Sequence, residues 1–587
     1  MNWKEKYLEW SVNEEVITEF KKELTSSDDQ ELEDRFYRYL EFGTGGMRGE
    51  LGVGINRMNS YSIRRVSTGL AKYILSKGEE AKEAGVVIAY DNRYQSDSFA
   101  EWTARILASY GIKVFLSDEM RPTPELSFLV RSYQAFSGVM ITASHNPANY
   151  NGFKVYGSDG GQITLETAET LMSILGQITN ELEITAEPLE YYIAKGFVIV
   201  FGEEADEKYL KKLSFVTQDQ QLMNTYGEKL NVVYTPLHGT GLDLVFKGLT
   251  AAGVKHLFVV KEQADGDSGF RTVKSPNPED PAAFKRAIEQ GERQNADLLM
   301  ATDPDADRLG IAVKDSLTNS YQLLSGNQIG VLLLHYLLEV KKAQAEDLSH
   351  YFLAKTIVTS DLGSVIAKDY YVATRNTLTG FKFIGEQIAL SERNKDKKFL
   401  FGYEESYGYL IKPFVRDKDA IQAALLISEV ALYYKLKGVT LLEALENIYQ
   451  QYGYYTESLV HIEFKGKVGQ QLLGEAIDKL RNMNLDHIGG KGIAYKEDYL
   501  LGERLNLVDG SVESISLPKS NVIKFIMNDG SWICIRPSGT EPKCKLYFSV
   551  HGNSKQDSDD ELNKLKVEML SIFDRLRGDF REACKKV

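Results

Sequence analysis

The stretch Gly138-Val139-Met140-Ile141-Thr142-Ala143-Ser144-His145-Asn146-Pro147 organises the reading of this chain. Gly138 to Ile141 is apolar and reads as a buried strand that delivers a turn. After the turn come Asn149-Tyr150-Asn151-Gly152-Phe153-Lys154, and Val155-Tyr156 resume an apolar pattern. One hydroxyl, that of Ser144, therefore sits just past a strand end. His145 is beside it and Lys154 follows ten positions later. Turns carried on rigid strands are where reactive groups are commonly held. The competing reading is a surface Asn-Pro turn that happens to contain a serine.

Working outward, residues 1 to about 40 are charged with helical spacing of Trp10, Val16, Phe20, Leu32, Phe36 and Leu40. They predict two amphipathic helices packed on a first domain. Phe42-Gly43-Thr44-Gly45-Gly46-Met47-Arg48-Gly49 follows. Its glycines let backbone amides approach an anion, with Arg48 to complete the site. No Gly-Lys-Ser/Thr follows, so it is no Walker loop. Val86–Tyr90, a helix from Ser98 to Tyr110 and Ile112–Leu116 form a strand–helix–strand unit. A similar unit runs from Val232 to Val260, and a third from Phe352 to Thr374. Three such units predict repeated layered α/β domains.

A second chemical signal is Thr302-Asp303-Pro304-Asp305-Ala306-Asp307-Arg308, set between apolar strands at 296–301 and 309–313. Carboxylates on alternate residues of one tight turn repel each other, and a divalent cation relieves that repulsion. All-oxygen ligands suit magnesium. An EF-hand is excluded, because Arg308 stands where its glycine must be and Lys314 where its bidentate glutamate must be. The competing reading is a solvated acidic turn.

Lys382 lies among apolar residues in Thr379–Gly385, and Glu404, Glu405 and Ser406 lie in Phe401–Tyr409. Carboxylates and a hydroxyl there suit sugar hydroxyls. Arg416-Asp417-Lys418-Asp419 reads by default as a solvated face. A helix over 420–434 leads to a boundary at Tyr452-Gly453-Tyr454-Tyr455. The last region has α+β character. Its strand Trp532–Ile535 runs into Arg536-Pro537-Ser538-Gly539-Thr540-Glu541-Pro542-Lys543. An arginine fork with hydroxyls and amides on one turn makes a phosphate cradle.

Composition narrows the partners. At 587 residues the chain is long enough for several domains. Its net charge of −14 disfavours nucleic acid or an anionic membrane as main partner. Cys534, Cys544 and Cys584 form neither a disulfide framework nor a ligand-spaced set, which suits a reducing cytoplasm. The opening Met1–Lys6 lacks an apolar signal core, and no run approaches the ~18 apolar residues of a membrane span. Oligomeric state is not legible here.

Four segments in this order, Thr-Ala-Ser-His-Asn-Pro, Asp-Pro-Asp-Ala-Asp-Arg, Glu-Glu-Ser-Tyr-Gly and Arg-Pro-Ser-Gly-Thr-Glu-Pro, resemble the α-D-phosphohexomutases over nearly the whole chain. The opening Phe-Gly-Thr-Gly-Gly-Met-Arg and the Asn-Gly-Phe-Lys-Val-Tyr run look closest to the branch of bacterial phosphoglucomutases and animal phosphopentomutases. The resemblance implies an α/β chain of four domains around a central cleft. Three would be similar α/β domains, at 1–212, 213–326 and 327–452, and the fourth α+β, at 453–587. It implies a phosphoserine at Ser144, Mg²⁺ held by Asp303, Asp305 and Asp307 with the serine phosphate, and sugar readers at Glu404 and Ser406. It places the non-reacting phosphate on Arg536, Ser538, Gly539 and Thr540, with Lys543 nearby. Arg48, His145, Lys154 and Lys382 match basic residues around the reacting groups, and Lys154 or Lys382 would serve as base. Tyr403 departs from the pattern, standing where many members have glycine. The implied activity interconverts glucose 1-phosphate and glucose 6-phosphate through glucose 1,6-bisphosphate. Pentose and mannose phosphates are the alternatives, and a metal-dependent sugar phosphatase is the competing class.

Overall fold

The computed structural model describes residues 2–43, 46–463, 466–538 and 543–584. The chain divides into two compact units. One comprises Met1–Ala354 with Gly380–Leu442, the other Lys355–Thr379 with Glu443–Val587.

In the first unit, strands β1 (Phe42–Gly43), β2 (Gly46–Glu50), β3 (Val86–Tyr90), β4 (Val114–Ser117), β5 (Ser137–Ile141), β6 (Tyr150–Gly157) and β7 (Val198–Phe201) form one sheet. Its order is β1-β2-β6-β5-β3-β4-β7. β5, β3, β4 and β7 run parallel, and β6 returns antiparallel to β5. A second sheet holds β8 (Asn231–Thr235), β9 (His256–Val259), β10 (Leu298–Thr302), β11 (Leu309–Lys314) and β12 (Tyr321–Leu323), in the order β12-β11-β10-β8-β9. β10, β8 and β9 are parallel and β11 returns antiparallel to β10. The two sheets thus share one core pattern. Their inner strands are apolar on both faces, as in Val86–Ala89 and Leu298–Ala301, because helices cover both sides.

The third repeat follows the same chain order. β13 (Tyr351–Thr356), the helix Leu362–Asp369 and β14 (Ala373–Thr377) precede β15 (Lys398–Glu404) and β16 (Gly408–Leu410). β15 and β16 pair antiparallel. The boundary between the compact units falls inside β13.

The C-terminal region is an antiparallel sheet of β17 (Tyr454–Glu463), β18 (His487–Ile488), β19 (Lys491–Asp498), β20 (Glu503–Asn506), β21 (Val512–Ser514), β22 (Ile523–Met527), β23 (Trp532–Pro537) and β24 (Lys543–Gly552). Helices Gly466–Asn482 and Lys555–Cys584 pack Leu473, Ile477, Leu565 and Phe573 on Ile533, Ile535, Leu546 and Phe548. This segregation of helices from an antiparallel sheet is α+β architecture, so three α/β regions plus a different fourth are what the chain builds.

The N-terminal segment holds three helices rather than two: Trp3–Val12, Thr18–Ser26 and Asp29–Phe36. The extra break comes from Asp28, whose carboxylate caps the third helix by accepting the Glu31 amide at 2.8 Å. Together they bury Trp10, Leu24 and Phe36 around Tyr61. No helix among the described residues is long and apolar enough to cross a membrane.

Candidate active site

Ser144 lies in the turn between β5 and β6, buried to 2% exposure, with φ at +53°. A non-glycine residue in this left-handed region is held there at a cost of about 1–2 kcal/mol. The restraint is Arg93, from the turn after β3. Its guanidinium donates to the carbonyls of Ser144 (2.6 Å), Asn146 (2.5 Å), Pro147 (2.8 Å) and Tyr150 (3.0 Å). Asp91 pairs with Arg93 Nε at 3.4 Å and is itself fixed by Ser96 Oγ at 2.8 Å. Gly152 sits opposite, where a Cβ would fall 2.5 Å from the Thr142 carbonyl. So held, Ser144 Oγ donates to Asp303 Oδ2 at 2.8 Å and lies 3.2 Å from His145 Nδ1. Arg48, on β2, is exposed and donates to Asn146 Oδ1 at 3.2 Å.

The acidic turn joins β10 to β11 and is buried, not solvated: Asp303, Asp305 and Asp307 are at most 1% exposed. Each carboxylate has at least one oxygen tied, and Asp303 has both. Asp303 Oδ1 accepts the amides of Asp307 (3.1 Å) and Arg308 (3.0 Å). Asp305 Oδ2 accepts from Lys154 Nζ at 2.7 Å. Asp307 Oδ2 pairs with Lys418 Nζ at 3.0 Å and Lys154 Nζ at 3.5 Å. Oδ1 of Asp305 and Oδ1 of Asp307 are buried and take no hydrogen bond. The three carboxylates offer oxygens within 4.8 Å of one another. Three hard oxygens, two of them otherwise unsatisfied, fit a small divalent cation. Burial, then Asp307 and Asp305, push the Asp303 carboxyl well above its usual range. Against the penalty of burial, Lys418, Lys154 and Arg308 hold Asp307 below its own.

The turn from β15, which ends at Glu404, to β16 carries Glu405 and Ser406. Its backbone meets the acidic turn, with the Leu309 amide donating to the Tyr407 carbonyl at 3.0 Å. Glu404 accepts the Gly380 amide at 3.0 Å. Burial lifts its pKa to about 7, with Lys418 and Arg308 opposing and Glu405 adding to the rise. Lys382 lies in the first turn of the helix Phe381–Asn394, 4% exposed, and burial lowers its ammonium pKa.

Arg416–Asp419 corrects the expectation of a solvated face: all four are buried. Asp417 accepts from Tyr156 Oη (2.9 Å) and Gln162 Nε2 (2.8 Å), and Asp419 from Tyr209 Oη (2.6 Å). Lys418 bridges Asp417 and Asp307, and its methylenes cover Gly408, where a Cβ would lie 2.2 Å from Lys418 Cδ. Charges that alternate along a segment resemble a solvated face until their partners, hundreds of residues away, are known. Lys418 and Arg93 are candidate-site residues that sequence reasoning missed. The only signal for Arg93 was a lone cation just past an apolar strand.

Arg536, Ser538 and Lys543 belong to the second compact unit. Arg536 is the next-to-last residue of β23, opposite Lys545 of β24, and the Ser538 amide donates to the Lys543 carbonyl at 2.7 Å. Gly539 and Thr540 lie outside the described residues, as do Thr44 and Gly45 of the glycine-rich stretch.

A buried serine against a carboxylate cluster that fits a cation, beside lysines, is chemically suited to phosphoryl transfer. Family profiles agree along the chain. The phosphoglucomutase/phosphomannomutase alpha/beta/alpha domains I, II and III match residues 39–182, 207–316 and 325–452, and the C-terminal domain of the same family matches 486–570. A phosphoglucomutase from Staphylococcus saprophyticus is 37% identical over 92% of this chain and 95% of its own length. One from Staphylococcus haemolyticus is 39% identical over 90% and 94%. Among solved structures, a putative phosphomannomutase from Thermus thermophilus shares the fold with a TM-score of 0.65 at 21% identity, over 92% of this chain and 99% of that one. Pp63/parafusin from Paramecium does so at 0.66 and 18%, over 91% and 94%. The chain belongs to the α-D-phosphohexomutase family.

Proposed function

We propose that this chain is a phosphoglucomutase, an intramolecular phosphotransferase of the isomerase class that interconverts α-D-glucose 1-phosphate and glucose 6-phosphate. The observation that carries the mechanism is Ser144 Oγ, fixed at 2.8 Å from Asp303 Oδ2 in a turn of left-handed φ. In the working enzyme Ser144 carries a phosphoryl group. The 6-hydroxyl of glucose 1-phosphate attacks the phosphorus, a new P–O bond forms to the sugar, and the bond to Ser144 Oγ breaks. The hydroxyl proton passes to a base. Lys382 suits that part because burial lowers its pKa, whereas Lys154 is engaged with Asp305 and Asp307 and suits charge neutralisation. The resulting glucose 1,6-bisphosphate turns over and returns its other phosphate to Ser144. Asp303, Asp305 and Asp307, with an oxygen of the serine phosphate, would hold Mg²⁺, which offsets phosphate charge during transfer. Glu404 and Ser406 read sugar hydroxyls. Arg536, Ser538, Gly539, Thr540 and Lys543 grip the phosphate that is not reacting, while Arg48 and His145 face the one that is.

The test is a set of kcat/KM values for glucose, mannose and ribose 1-phosphates, with and without a hexose 1,6-bisphosphate. The expected order puts glucose 1-phosphate first, with activation by the bisphosphate. A preference for ribose 1-phosphate would reassign the sugar, and release of inorganic phosphate without isomerisation would make the chain a hydrolase.

A further inference from the structure

The helix Thr123–Ser132 packs against β3 and β5, the strands that deliver Arg93 and Ser144. Its first residue reaches out of that domain into the acidic turn. Thr123 Oγ1 donates to Asp305 Oδ2 at 2.7 Å, and the Thr123 amide donates to the Asp305 carbonyl at 2.9 Å. Pro122 and Pro124 flank Thr123 and restrict its backbone. Further along the same helix, Ser127 Oγ donates to the Gly160 carbonyl at 2.5 Å and accepts the Arg416 amide at 2.9 Å. Arg131 donates to the Pro413 carbonyl at 2.6 Å. One rigid element therefore touches the serine sheet, the acidic turn and the segment that carries Lys418.

We propose that Thr123 is a positioning residue for the reaction, aiming the carboxylate of Asp305 at the cation. The inference rests on the phosphotransferase reading of the site. Asp305 Oδ2 takes two short donors at once, Thr123 Oγ1 and Lys154 Nζ, each at 2.7 Å. Two donors on one oxygen fix the rotation of the carboxylate about its Cβ–Cγ bond. Its other oxygen, Oδ1, is buried without a hydrogen bond. Lysine alone is a poor restraint, because its ammonium rotates freely at the end of a flexible stem. The threonine hydroxyl sits on a β-branched side chain with few rotamers. Because the helix is seated on the strand that carries Ser144, Thr123 also ties the position of the cation to that of the nucleophile.

The experiment is calorimetric titration of Mg²⁺ into chelator-stripped full-length protein, for wild type, Thr123→Val, Thr123→Ala and Thr123→Ser. Valine keeps the shape and removes the hydroxyl, and every variant keeps the backbone amide contact. Removing an outer partner of a metal ligand typically weakens binding ~10–100-fold. We expect Kd for Mg²⁺ to rise at least about tenfold in the valine and alanine variants, with serine near wild type. The Mg²⁺ concentration for half-maximal turnover should move by the same factor. A purely structural threonine would lower Tm in valine and alanine and leave Kd unchanged. That outcome, in whichever of the two folds, overturns the proposal. Absence of Mg²⁺-dependent turnover in the wild type would instead overturn the mutase reading, leaving the Kd comparison standing.

Discussion

The serine turn and the acidic turn occupy the same place in two copies of one design. Each joins an inner parallel strand to an antiparallel one, β5 to β6 and β10 to β11. Each contains one non-glycine residue at left-handed φ, Ser144 at +53° and Ala306 at +50°. They differ in what holds them. The acidic turn is closed by its own first aspartate, which accepts the amides of residues 307 and 308. The serine turn is closed from outside, by an arginine some fifty positions earlier that reaches four of its carbonyls. A turn that must keep a hydroxyl available cannot use that side chain as its fastening. A turn that presents several carboxylates can spare one oxygen for the purpose.

The largest effect should come from Ser144→Ala. Turnover falls below detection, circular dichroism stays native, and Mg²⁺ binding by calorimetry persists, because the acidic turn does not depend on the serine for its shape. Appreciable turnover in this folded variant would end the covalent mechanism.

Arg93→Met separates the two fastenings. The serine turn loses its four carbonyl contacts, and displacement of a reacting group by an ångström is enough for a loss of about 10²-fold in kcat. Asp91 is left buried without its partner, so stability should fall by about 3–5 kcal/mol in denaturant titration. Mg²⁺ affinity should change little. A parallel loss of Mg²⁺ affinity would mean that the turns are not independently held.

The same contrast explains what was legible in the sequence. The acidic turn encodes its shape locally, so Asp303, Asp305 and Asp307 stood out as a cation turn from their spacing alone. The strands before both turns were legible because burial on both faces makes them continuously apolar. Arg93 and Lys418 were not legible, since their partners are distant carbonyls and carboxylates and nothing near them in sequence marks them as buried. Asp28 likewise split a helical stretch that periodicity alone ran together.

The second compact unit offers a comparison of another kind. Arg536 lies near the end of an antiparallel strand, opposite Lys545, and it is the one guanidinium in 536–543, so its fork suits a phosphate better than the lysines beside it. A charge-assisted hydrogen bond contributes about 1.5–3 kcal/mol, so Arg536→Ala should lose at least about tenfold in kcat/KM. Arg536→Lys should recover only part, because an ammonium cannot pair with two oxygens in one plane. Wild-type kcat/KM in the alanine variant would remove Arg536 from the site.

The third turn, between β15 and β16, sharpens the comparison with the smallest effect. It repeats the left-handed residue, here Tyr407 at +63°, and its Glu404 is buried at the strand end. Burial raises the Glu404 pKa to about 7, Lys418 and Arg308 pull it down, and Glu405 pushes it up. The ionised carboxylate accepts hydrogen bonds from sugar hydroxyls and the protonated form accepts them weakly. kcat/KM should therefore rise as pH passes upward through about 7, and this step should be missing in Glu404→Gln. Stability carries the opposite sign. The folded pKa lies above the usual 4.5, so the protonated carboxyl's contribution is complete below about 4.5 and lost as pH rises through about 7. Glutamine mimics the protonated state at every pH. Glu404→Gln should then gain on the wild type as pH rises through that window, by no more than about 3.5 kcal/mol, since each pKa unit corresponds to about 1.4 kcal/mol. The check is denaturant titration of both proteins across the window. Stability curves that stay parallel would show that Glu404 ionises there as easily as in water, and would take from the third turn the buried acid that sets it apart from the serine turn.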